Sequence, residues 1–469
     1  LTDEDFRENP LRRYRATALD EMDADHSQFT LSYAGKLTDN MSLAVTAYSN
    51  DFARNWYKLN KVNGAKLSTI AKPTDDAFAD FYALMDAQNS ADDAYRIKAN
   101  NREYYSSGVQ AVFNVEAGGH DMQIGMRMHS DEMDRFQWED RYKMADGKLV
   151  MTTQATPGSD SNRIDSAEAT ALYFEDRFSV GELIVTAGAR YEEITVMRDD
   201  WGKTDPDRSE TPSDREHTMD VIVPGVSVEY PISDTQTISL GVHKGFAPPG
   251  PGTSGVTDEA VDPETSLNTE IGWKSNEGLN SMEFTYFMNS YDNLLGADTA
   301  ASGGGTDDLF NGGAVDISGL ELYLRRILVD NGSMQVPLEI SYTKTNTEFK
   351  ESFDGFWGDV SSGDELPYIP ETMVSANLGI NLDATSVNLG LRHVSDMRTT
   401  AGSGSLTDSA STDALTLLDL GVDHTLKSNV TLSMGIKNLM DKDVVVARRP
   451  YGARPTMPRT VTFGVNYNF

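Results

Sequence analysis

The last ten residues read Thr460-Val461-Thr462-Phe463-Gly464-Val465-Asn466-Tyr467-Asn468-Phe469. Val461, Phe463, Val465, Tyr467 and Phe469 share one parity and are all apolar. Thr460, Thr462, Gly464, Asn466 and Asn468 share the other and are all small or polar. Side chains alternate across a strand, so this stretch is a strand with one apolar face and one wet face. The same period-2 pattern fills most of the chain, and helical periodicity is nearly absent.

A second rhythm lies over the first: strand, very short turn, strand, long loop. Short turns fall at Thr38-Asp39-Asn40, Gly118-Gly119, Gly181-Glu182, Ser233-Asp234-Thr235, Asn276-Glu277-Gly278, Asp330-Asn331-Gly332, Asp383-Ala384 and Lys427-Ser428-Asn429. These residue types tolerate tight-turn dihedrals. Long polar connections run between them at about 61–102, 147–165, 199–216, 247–263, 297–308, 351–366, 399–411 and 446–456. Strict sorting of loop lengths by parity is the habit of an outer-membrane barrel, whose two ends face different compartments. The fold class is therefore all-β: a transmembrane antiparallel β-barrel, which satisfies its backbone groups in lipid without any helix.

Composition narrows the alternatives. The 469 residues carry 73 acidic against 40 basic side chains, a net charge of −33. Such a chain repels a polyanion, so a nucleic-acid partner is excluded. With no cysteine there is no disulfide scaffold and no thiolate metal site or nucleophile. No apolar run nears the roughly 18–20 residues of a membrane-spanning helix. Length alone suggests about three soluble domains at ~150 residues each, a reading the strand rhythm overrides. Leu1-Thr2-Asp3-Glu4-Asp5 shows neither an initiator methionine nor the basic and apolar segments of a signal peptide.

Counting gives seventeen strands, starting near 23, 41, 103, 120, 166, 183, 217, 236, 265, 280, 309, 333, 367, 385, 412, 430 and 457. An antiparallel barrel with an odd number of strands would have to close on two parallel edges, and single-chain bacterial barrels are even-numbered. The expectation is a barrel incomplete at its N-terminus.

Six motifs in order now name a family. They are Asn50-Asp51-Phe52-Ala53-Arg54-Asn55-Trp56-Tyr57-Lys58-Leu59; Ala187-Gly188-Ala189-Arg190-Tyr191-Glu192; Gly241-Val242-His243-Lys244-Gly245-Phe246-Ala247-Pro248-Pro249; the Leu267-Asn268-x-Glu270-x-Gly272-x-Lys274 core; Leu389 through Thr399; and Lys437-Asn438-Leu439-Met440-Asp441-Lys442. The chain resembles the barrel of a TonB-dependent outer-membrane receptor, and most closely the ferric-citrate (iron dicitrate) receptor group. Such receptors have 22-stranded barrels filled by a plug. The resemblance implies that the seventeen strands are the sixth to the twenty-second, with the plug, the TonB box and about five strands missing. Residues 1–22 are then an external loop remnant and 23–469 a partial receptor barrel.

The resemblance further implies a Gram-negative outer-membrane receptor that imports a ferric chelate, ferric citrate or another carboxylate-type siderophore. It would be energised through the TonB complex by way of the missing N-terminal part. Iron is cargo, and neither a cofactor nor a protein-held metal is expected. Outer-membrane lipid, lipopolysaccharide and the barrel assembly machinery are the other implied partners, with Tyr467 and Phe469 as the assembly signal. TonB-dependent uptake of a saccharide or cobalamin, a passive porin-like barrel, and a soluble acidic adhesin or calcium-binding β-protein are the other readings. No His-Glu-x-x-His or Gly-x-Ser-x-Gly arrangement occurs, and an enzyme is not expected.

A bulky anionic chelate whose iron is already coordinated is recognised through its outer shell, best by the planar fork of arginine. Strand parity sends Arg54, Arg127, His129, Gln137, Arg141, His243, Arg392 and Arg398 to the lumen. The ligand-binding expectation is Arg54, Arg127, Gln137, Arg141, His243, Arg392 and Arg398. Ion pairing with wall or plug acids is the competing role for each arginine. A bulge would flip parity, and Arg141 and Arg398 lie furthest along their strands. Pro248, Pro249, Gly250, Gly303, Gly304 and Gly305 lie in two external loops whose composition suits closure over a ligand.

Overall fold

A computed structural model describes residues 1–67, 83–248, 263–297, 309–311, 313–355, 358–427, 429–449 and 452–467. Seventeen long strands form one antiparallel sheet: β1 (Glu21–Thr38), β2 (Met41–Val62), β3 (Tyr95–Ala117), β4 (His120–Ala145), β5 (Ser161–Val180), β6 (Leu183–Asp200), β7 (Ser213–Ser233), β8 (Gln236–Ala247), β9 (Glu264–Glu277), β10 (Asn280–Tyr291), β11 (Val315–Asp330), β12 (Met334–Phe349), β13 (Thr372–Leu382), β14 (Thr385–Val394), β15 (Leu415–Lys427), β16 (Val430–Lys437) and β17 (Thr460–Tyr467). Short pieces at Ala65–Lys66 and Lys148–Thr153 extend it to nineteen strands. Each long strand pairs with its neighbours in sequence, and β1 and β17 are not paired with one another among the described residues.

Seven of the eight expected short turns, joining β1–β2, β3–β4 and so on to β13–β14, are present; the eighth, Lys427-Ser428-Asn429, includes Ser428, which lies outside the described residues. At the β3–β4 turn Gly118 and Gly119 have φ of +63° and +89°, which only glycine adopts freely and which suits the twist of a two-residue hairpin.

Register aligns the apolar parity of every strand on one face. Across β1 to β6, for example, Leu31 lies opposite Ala47, Ala47 opposite Val109, Val109 opposite Met128, and Leu172 opposite Met126 and Tyr191. On the far side the row continues through Leu240, Ile271, Tyr286 and Leu320, then ends through Leu389, Leu420, Ile436 and Val461. Phe29, Leu31, Ile124, Met128, Leu240, Ile271, Phe463 and Val465 are all exposed there, Phe463 at 79%. A continuous apolar belt left uncovered by the protein is the lipid face of a membrane barrel. The opposite face carries the polar parity.

Beyond the belt, at the long-loop end, the same parity becomes buried instead. Leu59, Tyr95, Ile97, Tyr142 and Met144 form an apolar cluster with Tyr14, Ala16 and Met85. This cluster explains why β3 begins at Tyr95 rather than near 103: Tyr95, Ile97 and Ala99 are buried rather than looped out. Residues 1–20 supply part of its cover. Thr2 caps a short helix, Asp3–Glu8, by accepting from the Asp5 N–H at 3.1 Å. Phe6 packs against Val445 and Ala453, and Asp3 pairs with Arg448 at 2.6 Å. Three two-stranded ribbons stand in the other long connections.

Candidate functional site

The inner face of β2 to β6 gathers cations: Arg54, Arg102, Arg127, Arg135, Arg190 and Arg198 all share that parity. In a chain of net charge −33 this is a local positive wall. Part of it is internally neutralised. Buried Asp165 accepts from Arg163 at 3.2 Å and from Arg198, and Arg190 pairs with Glu192.

A cavity of about 480 Å³ opens on this wall. Arg127, His129 and Asp131 line it from β4, Arg190 and Glu192 from β6, and Pro248 from the loop after β8. Arg127 donates through Nε and Nη2 to the Tyr48 hydroxyl, at 3.2 and 2.9 Å, and Nη2 also lies 3.4 Å from His129 Nδ1. The Tyr48 hydroxyl lies 2.6 Å from His129 Nδ1, and His129 Nε2 lies 3.2 Å from Asp131 Oδ2. Since the phenol oxygen accepts from Arg127, its own proton points to Nδ1. That network places the imidazole proton on Nε2, donated to Asp131. Arg127 has no carboxylate partner among the described residues, and its Nη1 makes no hydrogen bond there. The Nη1 side of the guanidinium is therefore open to an anion, with Nη2 beside it as the second prong of the fork.

The other expected ligand residues sort into two kinds. Arg54 donates to the Tyr104 hydroxyl at 3.0 Å and, like the exposed Arg392 on β14, has no carboxylate partner among the described residues. Arg141 pairs with Asp93 at 3.0 Å and Arg398 with Glu365 at 2.6 Å, so both are tied to residues of external loops. Asp93 is held below the usual carboxylate range by hydrogen bonds from Thr152 and Arg141. Gln137 is fully buried and donates to Asn100, away from the cavity. His243 lies on the inner face opposite Gly225 and Asn268, outside the cavity that holds Arg127. Of the loop residues, Pro248 lines the cavity; Pro249, Gly250, Gly303, Gly304 and Gly305 lie outside the described residues, as does Phe469. Tyr467 is exposed at the end of β17.

Sequence reasoning left Arg190 and Glu192 out of the site, although parity alone places them inward, and it left out Asp165 because it put that residue in a long connection rather than on β5. No group of three or more His, Asp or Glu side chains that could hold a metal ion occurs among the described residues.

An apolar belt outside, a cationic wall inside and tight turns at one end define the sheet of an outer-membrane β-barrel. The sequence profile of the TonB dependent receptor-like β-barrel family matches residues 2–439, and the chain belongs to that family. Its members are outer-membrane proteins of Gram-negative bacteria that work as transporters, not enzymes.

Solved structures agree on the fold. The ferric citrate transporter FecA in its unliganded form superposes with a TM-score of 0.72 at 17% identity, over 99% of this chain and 64% of that one. The ferric-catecholate import receptor Fiu from E. coli K12, in its closed form, gives 0.71 at 17%, over 97% and 65%. The siderophore receptor PiuA from Acinetobacter baumannii gives 0.72 at 15%, over 96% and 65%. The chain thus spans somewhat under two thirds of the length of each of these receptors.

Proposed function

We propose that this chain is the barrel part of a receptor that binds and imports an anionic ferric chelate, ferric citrate or another carboxylate-type siderophore, energised through TonB. The observation that carries the reading is Arg127: an inward guanidinium in a cavity, bonded to a phenol rather than a carboxylate, with its fork open. A carboxylate at the edge of a chelate fits that fork in two parallel hydrogen bonds. The solved relatives include a ferric citrate transporter and siderophore receptors, which supports iron-chelate cargo. Lipid and lipopolysaccharide would surround the belt, and the assembly machinery would read the C-terminal strand.

Titration calorimetry on the complete receptor in detergent tests this. Ferric citrate or a related carboxylate chelate binds the wild type. Arg127→Ala loses about 2 kcal/mol, roughly 30-fold in affinity, the size of a charge-assisted hydrogen bond that is not replaced. Absence of affinity for every ferric carboxylate chelate, with binding of an oligosaccharide or cobalamin instead, overturns the proposal.

A further inference from the structure

The geometry points to Tyr48 as the positioning residue of the anion fork, seated over Gly108 so that its hydroxyl holds Arg127 from two strands away. This rests on the reading of the cavity as a carboxylate site. Tyr48 is on β2 and Arg127 on β4, with β3 between them; Gly108 of β3 stands opposite both Tyr48 and His129. A Cβ at Gly108 would come within 2.6 Å of Tyr48 Cζ and 2.7 Å of the Met128 carbonyl oxygen. Only glycine leaves room there for the ring to cross β3 and reach β4.

The crossing fixes which edge of the guanidinium is used. Nε and Nη2 form one edge, and both donate to the Tyr48 hydroxyl. Nη1 and Nη2 form the other, which is left for the ligand. The hydroxyl is itself oriented, because its proton goes to His129 Nδ1 and His129 is anchored on Asp131. A carboxylate partner in Tyr48's place would neutralise Arg127 and compete for its hydrogen bonds. A phenol orients it and leaves its charge uncompensated. Tyr48 therefore acts through Arg127 and does not itself need to touch the chelate.

The test is a double-mutant cycle on the complete receptor, with ferric citrate as probe and heat-modifiable gel mobility as the check on folding. Tyr48→Phe keeps the ring and removes the hydroxyl; it is expected to weaken binding about tenfold in the wild type. In an Arg127→Ala background the same change is expected to alter affinity by less than about twofold, because the effect runs through the missing arginine. Gly108→Ala, which displaces the ring, reproduces the loss in the wild type. Wild-type affinity in Tyr48→Phe, or an undiminished effect in the Arg127→Ala background, overturns the inference.

A ligand-free measurement separates this from the functional reading. The Arg127 Nε–H resonance, identified by its absence from Arg127→Lys, exchanges slowly with water in the wild type and rapidly in Tyr48→Phe. If the wild type binds no ferric chelate, the functional reading falls. The cycle is then run with free citrate, and equal citrate affinity with equal exchange rates in wild type and Tyr48→Phe overturns the positioning role as well.

Discussion

Ile271 occupies the middle of the lipid-facing belt, between Leu240 of β8 and Tyr286 of β10, and is 49% exposed. It lies seven residues above the tight-turn residue Gly278 of the β9–β10 hairpin. At ~3.3 Å per residue that is about 23 Å along the strand. A strand tilt of ~40° turns this into a height of roughly 18 Å, near the midplane of an apolar band ~25 Å tall whose turn protrudes a little beyond it. Ile271→Arg is therefore expected to cost about 2–4 kcal/mol, the penalty of a midplane arginine on a barrel's lipid face. Thr285→Arg makes the opposite case: it sits on the inner face beside Gly272 and Glu321. There the new cation meets water and an acid, and the change should stay within about 0.5 kcal/mol. Urea unfolding of the complete receptor from lipid vesicles, followed by tryptophan emission, measures both. Equal costs, or an Ile271→Arg barrel as stable as the wild type, would refute the assignment of faces.

Three further outcomes follow from the external end. Lys58 is buried with its ammonium 3.6 Å from the Trp56 ring, and burial, aided by nearby Lys98, lowers its pKa to about 8. The folded form then releases its proton at a pH where the unfolded chain, at about 10.4, still holds it. Stability around β2 should rise between pH 8 and 10, by on the order of 3 kcal/mol, and the rise should vanish in Lys58→Met, as amide exchange corrected for intrinsic rates will report. Arg208 clamps the β6–β7 loop by a two-pronged bond to Asp134 at 2.9 and 2.6 Å, with Phe136 and Trp201 at 5.1 and 4.8 Å from its guanidinium. Arg208→Ala should undock the loop by about 2–4 kcal/mol, read as faster proteolysis within 201–212 at unchanged barrel stability. Arg208→Gly should cost less, because the residue sits at a φ of +51° that glycine adopts without strain.

Much of this architecture was legible from the chain alone, and the limit has a physical cause. Where a turn is two residues long, pairing follows by counting outwards: from Gly118-Gly119 the count puts Arg127 opposite Gln110, as observed. Seventeen strands, the tight turns between them among the described residues and the lipid face all came from such local rules. Pairing across a long loop has no such rule. Nothing in the residues between β2 and β3 sets Tyr48 opposite Gly108, so the Tyr48–Arg127–His129 chain could not be read in advance. For the same reason the partners of Arg141 and Arg398 were hidden, since Asp93 and Glu365 lie in loops. Gln137 has the inward parity expected of it, yet is covered completely, because parity gives direction and not exposure.

The nearest-neighbour pairing of the strands has a mechanical consequence. Every hydrogen-bond ladder between the seventeen long strands joins neighbours in the chain, so tension on an edge strand loads one ladder at a time. If the sheet is opened ahead of residue 21 and pulled from there, the β1–β2 hairpin gives way first and releases 42 residues, Glu21 to Val62, about 140–150 Å of extended chain. The next hairpin then becomes the edge and meets the load in turn. Extraction under force should advance as a ladder of discrete rips, one per hairpin, rather than as a single collapse.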